Sequence, residues 1–309
     1  MRILVLGAGV VGGYFGGRLV EAGGDVTFLV RERRAAELAA DGLAIKSPCG
    51  DAVLRVKTAR AGEALAPFDI VLLCCKAYDL DGAVDSIAPA VGAESAVLPV
   101  LNGLNHLDRL DRRFGSARVL GGVAQIAATI GAGGRIEQLS KLHRIIFGER
   151  DGRRSERAER LAALMKRANF DSVLSDVILL EMWEKFVLLA TLAGMTCLMR
   201  ASVGAIAATR EGETLMREFL AECAAVATAA GQAPRAAVLE RARALLTERG
   251  STFTASMLRD IERGGPIEGD HILGDLLRRA RALGVATPLL RTAACHVEAY
   301  EARRAERGG

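Results

Sequence analysis

The 309 residues are half hydrophobic and carry a net charge of only +4. That supplies apolar mass for two ordinary domains and excludes a disordered chain or a densely basic nucleic-acid binder. No apolar run has the length of a bilayer span: the most apolar segment, Phe186–Met199, is too short and contains Gly194, Thr191 and Thr196.

An apolar strand at Met1–Leu6 runs directly into Gly7-Ala8-Gly9-Val10-Val11-Gly12, followed by helix-compatible sequence over Tyr14–Ala22. This is a G-x-G-x-x-G motif in the strand-to-helix context that dinucleotide binding requires. Gly7 permits a tight turn, Gly9 lets a pyrophosphate approach the backbone, and Gly12 lets the helix pack close to the strand. Further strands are expected at Val26–Val30, Asp69–Cys75 and Ala96–Leu101, alternating with helices at Ala35–Asp41 and Leu80–Ala90. That alternation predicts a doubly wound, Rossmann-type parallel sheet. Arg118–Ile130 and Arg135–Phe147 read as two longer strands joined by Gly131–Gly134, a pair that could extend the sheet in antiparallel fashion. A helix over Ser155–Ala168 and a short strand at Ser172–Ser175 follow.

Beyond that point helical periodicity takes over, in Val177–Met199, Gly212–Ala230, Ala236–Glu248, Ala255–Arg263, Asp270–Leu283 and Pro288–Ala305. The expected organisation is an α/β dinucleotide-binding domain at 1–175 and an all-helical domain at 176–309. The six cysteines show no CxxC pair and no Cys/His ligand spacing, so no metal is expected and all six read as small apolar core residues. That cysteine usage points to a reducing cytoplasm, and no positively charged leader precedes an apolar stretch. The four histidines form no metal set; His106, just after a turn at Asn102, reads as an ordinary residue.

The second strand ends Phe28-Leu29-Val30-Arg31-Glu32-Arg33-Arg34. An acidic residue here would bind a ribose 2′-OH, whereas the Arg31 guanidinium suits a 2′-phosphate. The expected cofactor is therefore NADP(H), with Glu32 leaving room for NAD. Lys76 and Asn102 end two successive parallel strands, the side of such a sheet on which ligands bind.

The order of these motifs resembles the ketopantoate reductase (2-dehydropantoate 2-reductase) family over essentially the whole chain. The resemblance rests on Gly7-Ala8-Gly9-Val10-Val11-Gly12, Cys75-Lys76-Ala77-Tyr78-Asp79 and Leu101-Asn102-Gly103. It continues through Trp183-Glu184-Lys185 and Ser256-Met257-Leu258-Arg259-Asp260 to Glu268. It implies NADPH-dependent reduction of a 2-oxo acid in pantothenate biosynthesis, with the active site in a cleft between a Rossmann-type domain and a helical domain. It also implies that Lys185 is the catalytic cation, that Glu268 binds the substrate hydroxyl and orients Lys185, and that Ser256 binds the substrate carboxylate. Lys76 and Asn102 would lie near the nicotinamide ribose and the substrate. The chemistry suits lysine, because an ammonium can both stabilise a developing oxyanion and give up a proton. Six of the 41 basic residues are lysines, so one amid Met182-Trp-Glu-Lys-Phe-Val invites inspection. Asp260 and Asp270 read as structural, the latter as an N-cap.

One departure stands out. The family has asparagines four and eight residues after the lysine; this chain has Leu189 and Ala193. The substrate is then 2-dehydropantoate or a more apolar 2-oxo acid. A non-catalytic NADP(H)-binding regulator and an opine-type dehydrogenase are further alternatives. Phe186–Met199 serves either as domain core or as a homodimer interface.

Overall fold

The computed structural model describes residues Met1 to Gly308. It forms two compact units, one of Met1–Leu101 with His106–Ile178, the other of Asn102–Asn105 with Leu179 onward. The short excursion Asn102–Asn105 belongs with the second unit although it lies in the middle of the first in sequence.

The first unit holds a five-stranded, all-parallel sheet of β1 (Arg2–Leu6), β2 (Asp25–Leu29), β5 (Lys57–Ala59), β6 (Ile70–Leu73) and β7 (Ala96–Pro99). Their spatial order is β5-β2-β1-β6-β7, with every pairing parallel. The chain therefore reverses its winding between β1 and β6, the place where a doubly wound sheet opens a crevice at its carboxyl edge. β6 and β7 are buried along their whole length, which explains their unbroken apolar sequences.

The long pair β8 (Gly121–Ile130) and β9 (Ile136–Gly148) does run antiparallel, but it does not extend that sheet. It forms a second one with β3 (Leu43–Lys46), β4 (Ala52–Leu54) and β10 (Asp171–Leu174). The sequence expectation failed because β3, β4 and β5 are three or four residues each, too short to show a period. α1 (Val10–Glu21) packs against both sheets, and its glycines make that possible. A Cβ on Gly16 would lie 2.8 Å from the Phe28 ring of the first sheet, whereas one on Gly13 would lie 2.4 Å from Ile136 of the second. Tyr14 and Phe15, fully buried between these glycine pairs, fill the remaining space. The remaining helices here are α2 (Glu32–Asp41), α3 (Leu80–Ile87), α4 (Asn105–Phe114) and α5 (Glu156–Met165). α4 was not anticipated, because its high charge masks an apolar stripe of Leu107, Leu110 and Phe114.

The second unit contains only helices among the described residues. These are α6 (Ile178–Met199), α7 (Val203–Ala207), α8 (Gly212–Ala229), α9 (Ala236–Leu246), α10 (Ser256–Glu262), α11 (Asp275–Ala282) and α12 (Pro288–Gly308). Gly194 in the middle of α6 admits α8: a Cβ there would sit 2.4 Å from the Phe219 ring. A π-turn at Asp270–Gly274 precedes α11. Asp270 is not the expected N-cap; its side chain accepts from Arg278 at 2.6 Å. No helix among the described residues is long and apolar enough to cross a membrane.

The cysteines also depart from expectation. Only Cys197 and Cys223 are buried, Cys295 is exposed, and Cys49, Cys74 and Cys75 are intermediate. β6 stops at Leu73, so the adjacent pair sits beyond the strand rather than inside it.

Candidate functional site

The first unit carries a groove of about 1590 Å³ at the carboxyl ends of β1, β2 and β6. Its floor is the glycine turn. Gly7 has φ +88°, and its N–H donates to the Leu29 carbonyl at 2.9 Å. A Cβ at Gly12 would come within 2.2 Å of the Gly7 carbonyl oxygen, so the first turn of α1 is pressed onto the strand end. Gly9 is the N-cap of α1 and offers no side-chain cap. The helix therefore begins with N–H groups at Val10 and Val11 that have no intrahelical acceptor. A Cβ built on Gly9 meets nothing within 4 Å. Open space over uncapped N–H groups at a positive helix end is the environment a pyrophosphate requires. The residues present therefore fit a dinucleotide.

Arg31, Lys76, Cys74 and Cys75 line the same groove. Arg31 is the N-cap of α2; its side chain is 90% exposed and reaches Asp79 at 3.5 Å. The neighbouring arginines are committed elsewhere. Arg34 donates to the Gly134 carbonyl at 2.9 Å and to Glu37 at 3.0 Å, and Arg33 donates to Glu37 at 3.0 Å. The Arg31 ion pair is the longest of the three, so Arg31 is the least tied arginine of this run. Glu32 pairs with Arg60 at 3.4 Å. Arg60 also lines the groove; the sequence hid it because it follows the unread strand β5. Burial pushes the Cys74 thiol well above its ordinary range, which makes it an inert wall.

The other predicted residues lie in the second unit. Lys185 sits on α6 directly after two anchored residues. The buried carboxylate of Glu184 accepts from the Arg235 backbone N–H at 2.9 Å and from its guanidinium at 2.8 and 2.5 Å. Trp183 is buried beneath the Arg279 guanidinium, 5.7 Å from its ring, and Arg279 donates to Asp275 at 2.8 Å. Burial pushes the Lys185 ammonium down to about 8, against the opposing pull of the Glu268 carboxylate. Glu268 is itself buried, and its backbone carbonyl accepts from Ile272 N–H at 3.0 Å in the π-turn. Ser256 opens α10 and is half-buried. The preceding Ala255 N–H donates to the Thr196 hydroxyl of α6 at 3.4 Å. Of the two departures from the family pattern, Leu189 is partly accessible, whereas Ala193 is fully buried.

Asn102 is held by a residue that sequence reasoning passed over. The carbonyl of Asn102 accepts from His271 Nε2 at 2.8 Å. Gly103, with φ +75°, lets the ring lie close, since a Cβ there would be 3.1 Å from it. His271 belongs to the π-turn that follows Glu268, so the imidazole links the Asn102 turn to the Glu268 segment. A lone histidine 169 residues away carries no sequence signal for this.

The family model for "Ketopantoate reductase PanE/ApbA" matches residues 3–152, and the model for its C-terminal part matches 177–301. The chain belongs to the ketopantoate reductase family. It is 36% identical to the uncharacterized oxidoreductase YkpB of Bacillus subtilis, over 98% of this chain and all of that one. It is 29% identical to a 2-dehydropantoate 2-reductase of Mesorhizobium japonicum, over 94% of each. Among solved structures, 2-dehydropantoate 2-reductase from Geobacter metallireducens superposes with a TM-score of 0.88 at 32% identity, covering 96% of this chain and 99% of that one. Membership makes the protein an NAD(P)H-dependent oxidoreductase acting on a 2-oxo acid.

Proposed function

We propose that the protein reduces 2-dehydropantoate to pantoate with NADPH. In this reading Gly7, Ala8, Gly9, Val10, Val11, Gly12, Arg31 and Lys76 hold the dinucleotide in the first unit. Asn102, Lys185, Ser256 and Glu268 hold the substrate and move its proton in the second. The observation that carries the reading is the placement of Lys185, half-buried on α6, within electrostatic reach of the buried Glu268 carboxylate.

A bound reduced nicotinamide supplies hydride to the carbonyl carbon. Lys185 donates an N–H hydrogen bond to the carbonyl oxygen, stabilises the negative charge that develops there, and transfers its proton to that oxygen. A pKa near 8 suits this, because the group is mostly protonated at pH 7 yet gives up its proton more readily than a solvated lysine. Glu268 keeps Lys185 charged and accepts from the substrate hydroxyl. Ser256 donates to the substrate carboxylate, and the Asn102 side-chain amide binds the substrate beside it.

Leu189 favours a second reading of substrate. It stands one helical turn from Lys185, on the same side of α6, and is partly accessible. A partly exposed leucine where the family has an amide gives no hydrogen bond to a hydroxylated substrate and suits an apolar 2-oxo acid. NADPH oxidation with 2-dehydropantoate and a series of branched and aromatic 2-oxo acids decides between the two. A higher kcat/KM for 2-dehydropantoate supports the first reading. A higher value for an apolar acid, reversed by Leu189→Asn, replaces it with the second. No turnover with any 2-oxo acid beside intact NADPH binding overturns both.

A further inference from the structure

We infer that the second unit carries a separate anion-binding pocket for a phosphate-bearing organic molecule, formed by Arg200, Arg303, Arg304 and Arg307. The pocket, of about 600 Å³, lies where the end of α6, the residues closing α10 and the last turns of α12 meet. Small-molecule sites commonly fall between about 300 and 1,000 Å³. Its lining sets four guanidinium groups against one carboxylate, Glu262.

Arg304 is already engaged: Glu301 accepts from its guanidinium at 2.8 Å and from the Ile267 backbone N–H at 2.7 Å through its other oxygen. Arg200, Arg303 and Arg307 make no ion pair among the described residues. Elsewhere this chain readily pairs its arginines, as at Arg60, Arg154 and Arg235. Arg303 and Arg307 stand four residues apart on one helix, where like charges oppose one another. An anion bridging them would remove that repulsion, and guanidinium forks match phosphate oxygens in geometry.

The second, independent observation is the backbone of Arg200. Among the described residues it is the one non-glycine with positive φ, +53°. It closes α6 in the position where glycine is the usual residue: the next N–H, from Ala201, returns to the Thr196 carbonyl at 3.3 Å. Glycine would make this turn without steric cost. The arginine instead adds strain and a charge that no ion pair among the described residues holds, and its side chain lines the pocket. Strain kept at a cationic concavity points to a ligand rather than to folding. Ile261, buried, and the Tyr300 ring form the apolar wall; the Tyr300 hydroxyl donates to the Gly265 carbonyl at 2.8 Å and fixes the ring.

The test uses the full chain saturated with NADPH, titrated calorimetrically with inorganic pyrophosphate at constant ionic strength. Wild-type protein should bind pyrophosphate, and Arg200→Gly should weaken it on the order of tenfold. The ligand-free Tm of that variant should equal or exceed that of wild type, because the strain is gone. The double variant Arg303→Gln/Arg307→Gln should also weaken binding, whereas Arg31→Ala should leave it unchanged. Any of four results overturns the proposal: no binding by wild type, equal affinity in every variant, loss of binding in Arg31→Ala, or a ligand-free Tm of Arg200→Gly below wild type.

Discussion

At the scale of single residues, Arg31 and His271 each make a contact whose loss is measurable. Arg31 is an exposed guanidinium of the groove whose one ion pair, to Asp79 at 3.5 Å, is longer than the hydrogen bonds to Glu37 that hold Arg33 and Arg34. Arg31→Ala should therefore weaken NADPH by about tenfold or more, the worth of a charge-assisted hydrogen bond, and leave NADH nearly unaffected. Fluorescence titration of the two reduced cofactors checks this, and equal losses would contradict the assignment. His271 acts on the Asn102 turn through its 2.8 Å hydrogen bond. His271→Phe keeps the ring volume and removes the donor. It should lower kcat roughly tenfold through misplacement of Asn102 while NADPH affinity holds, and His271→Gln should restore part of the loss. A normal kcat in His271→Phe would remove the histidine from the argument.

At the scale of elements, what the sequence revealed and what it hid have physical causes. The parallel strands were legible because burial on both faces leaves continuous apolar runs, as at Ile70–Leu73. The G-x-G-x-x-G turn was legible because each glycine answers a local requirement, namely positive φ at Gly7 and contact at Gly12. The second sheet was not, since β3 and β4 are short and β9, the strand that joins β3 to the rest of that sheet, lies some 90 residues further along. Cys74 and Cys75 were misread for a related reason: two apolar residues past a strand end look like more strand. For the candidate site, Lys185, Ser256 and Glu268 were expected from resemblance, whereas Arg60 and His271 come to their places through folding that joins distant segments. The α1 turn supplies a test at this scale. Gly12→Ala forces a methyl group into the space of the Gly7 carbonyl. It should cost about 1–3 kcal/mol of stability and abolish NADPH binding, as read by thermal unfolding with and without cofactor. A stable variant with normal cofactor affinity would show that the turn tolerates what its geometry forbids.

At the scale of the whole molecule, the proposed function assigns dinucleotide affinity to the first unit and proton chemistry to the second. Losses from Arg31→Ala and Lys185→Ala should then be separable, the first in cofactor Kd and the second in kcat. Their combined effect on kcat/KM should be close to the product of the two. The most direct test follows kcat/KM for 2-oxo acid reduction against pH in wild type and in Lys185→Ala. With the ammonium at about 8, wild-type reduction should hold below that pH and fall as the proton is lost above it; the reverse oxidation should rise over the same range. Lys185→Ala should lose about 10²- to 10⁴-fold and the descending limb with it, NADPH affinity being preserved. An alanine variant that keeps wild-type turnover, or one that loses activity yet retains the same limb near pH 8, would contradict the assignment of Lys185 as proton donor.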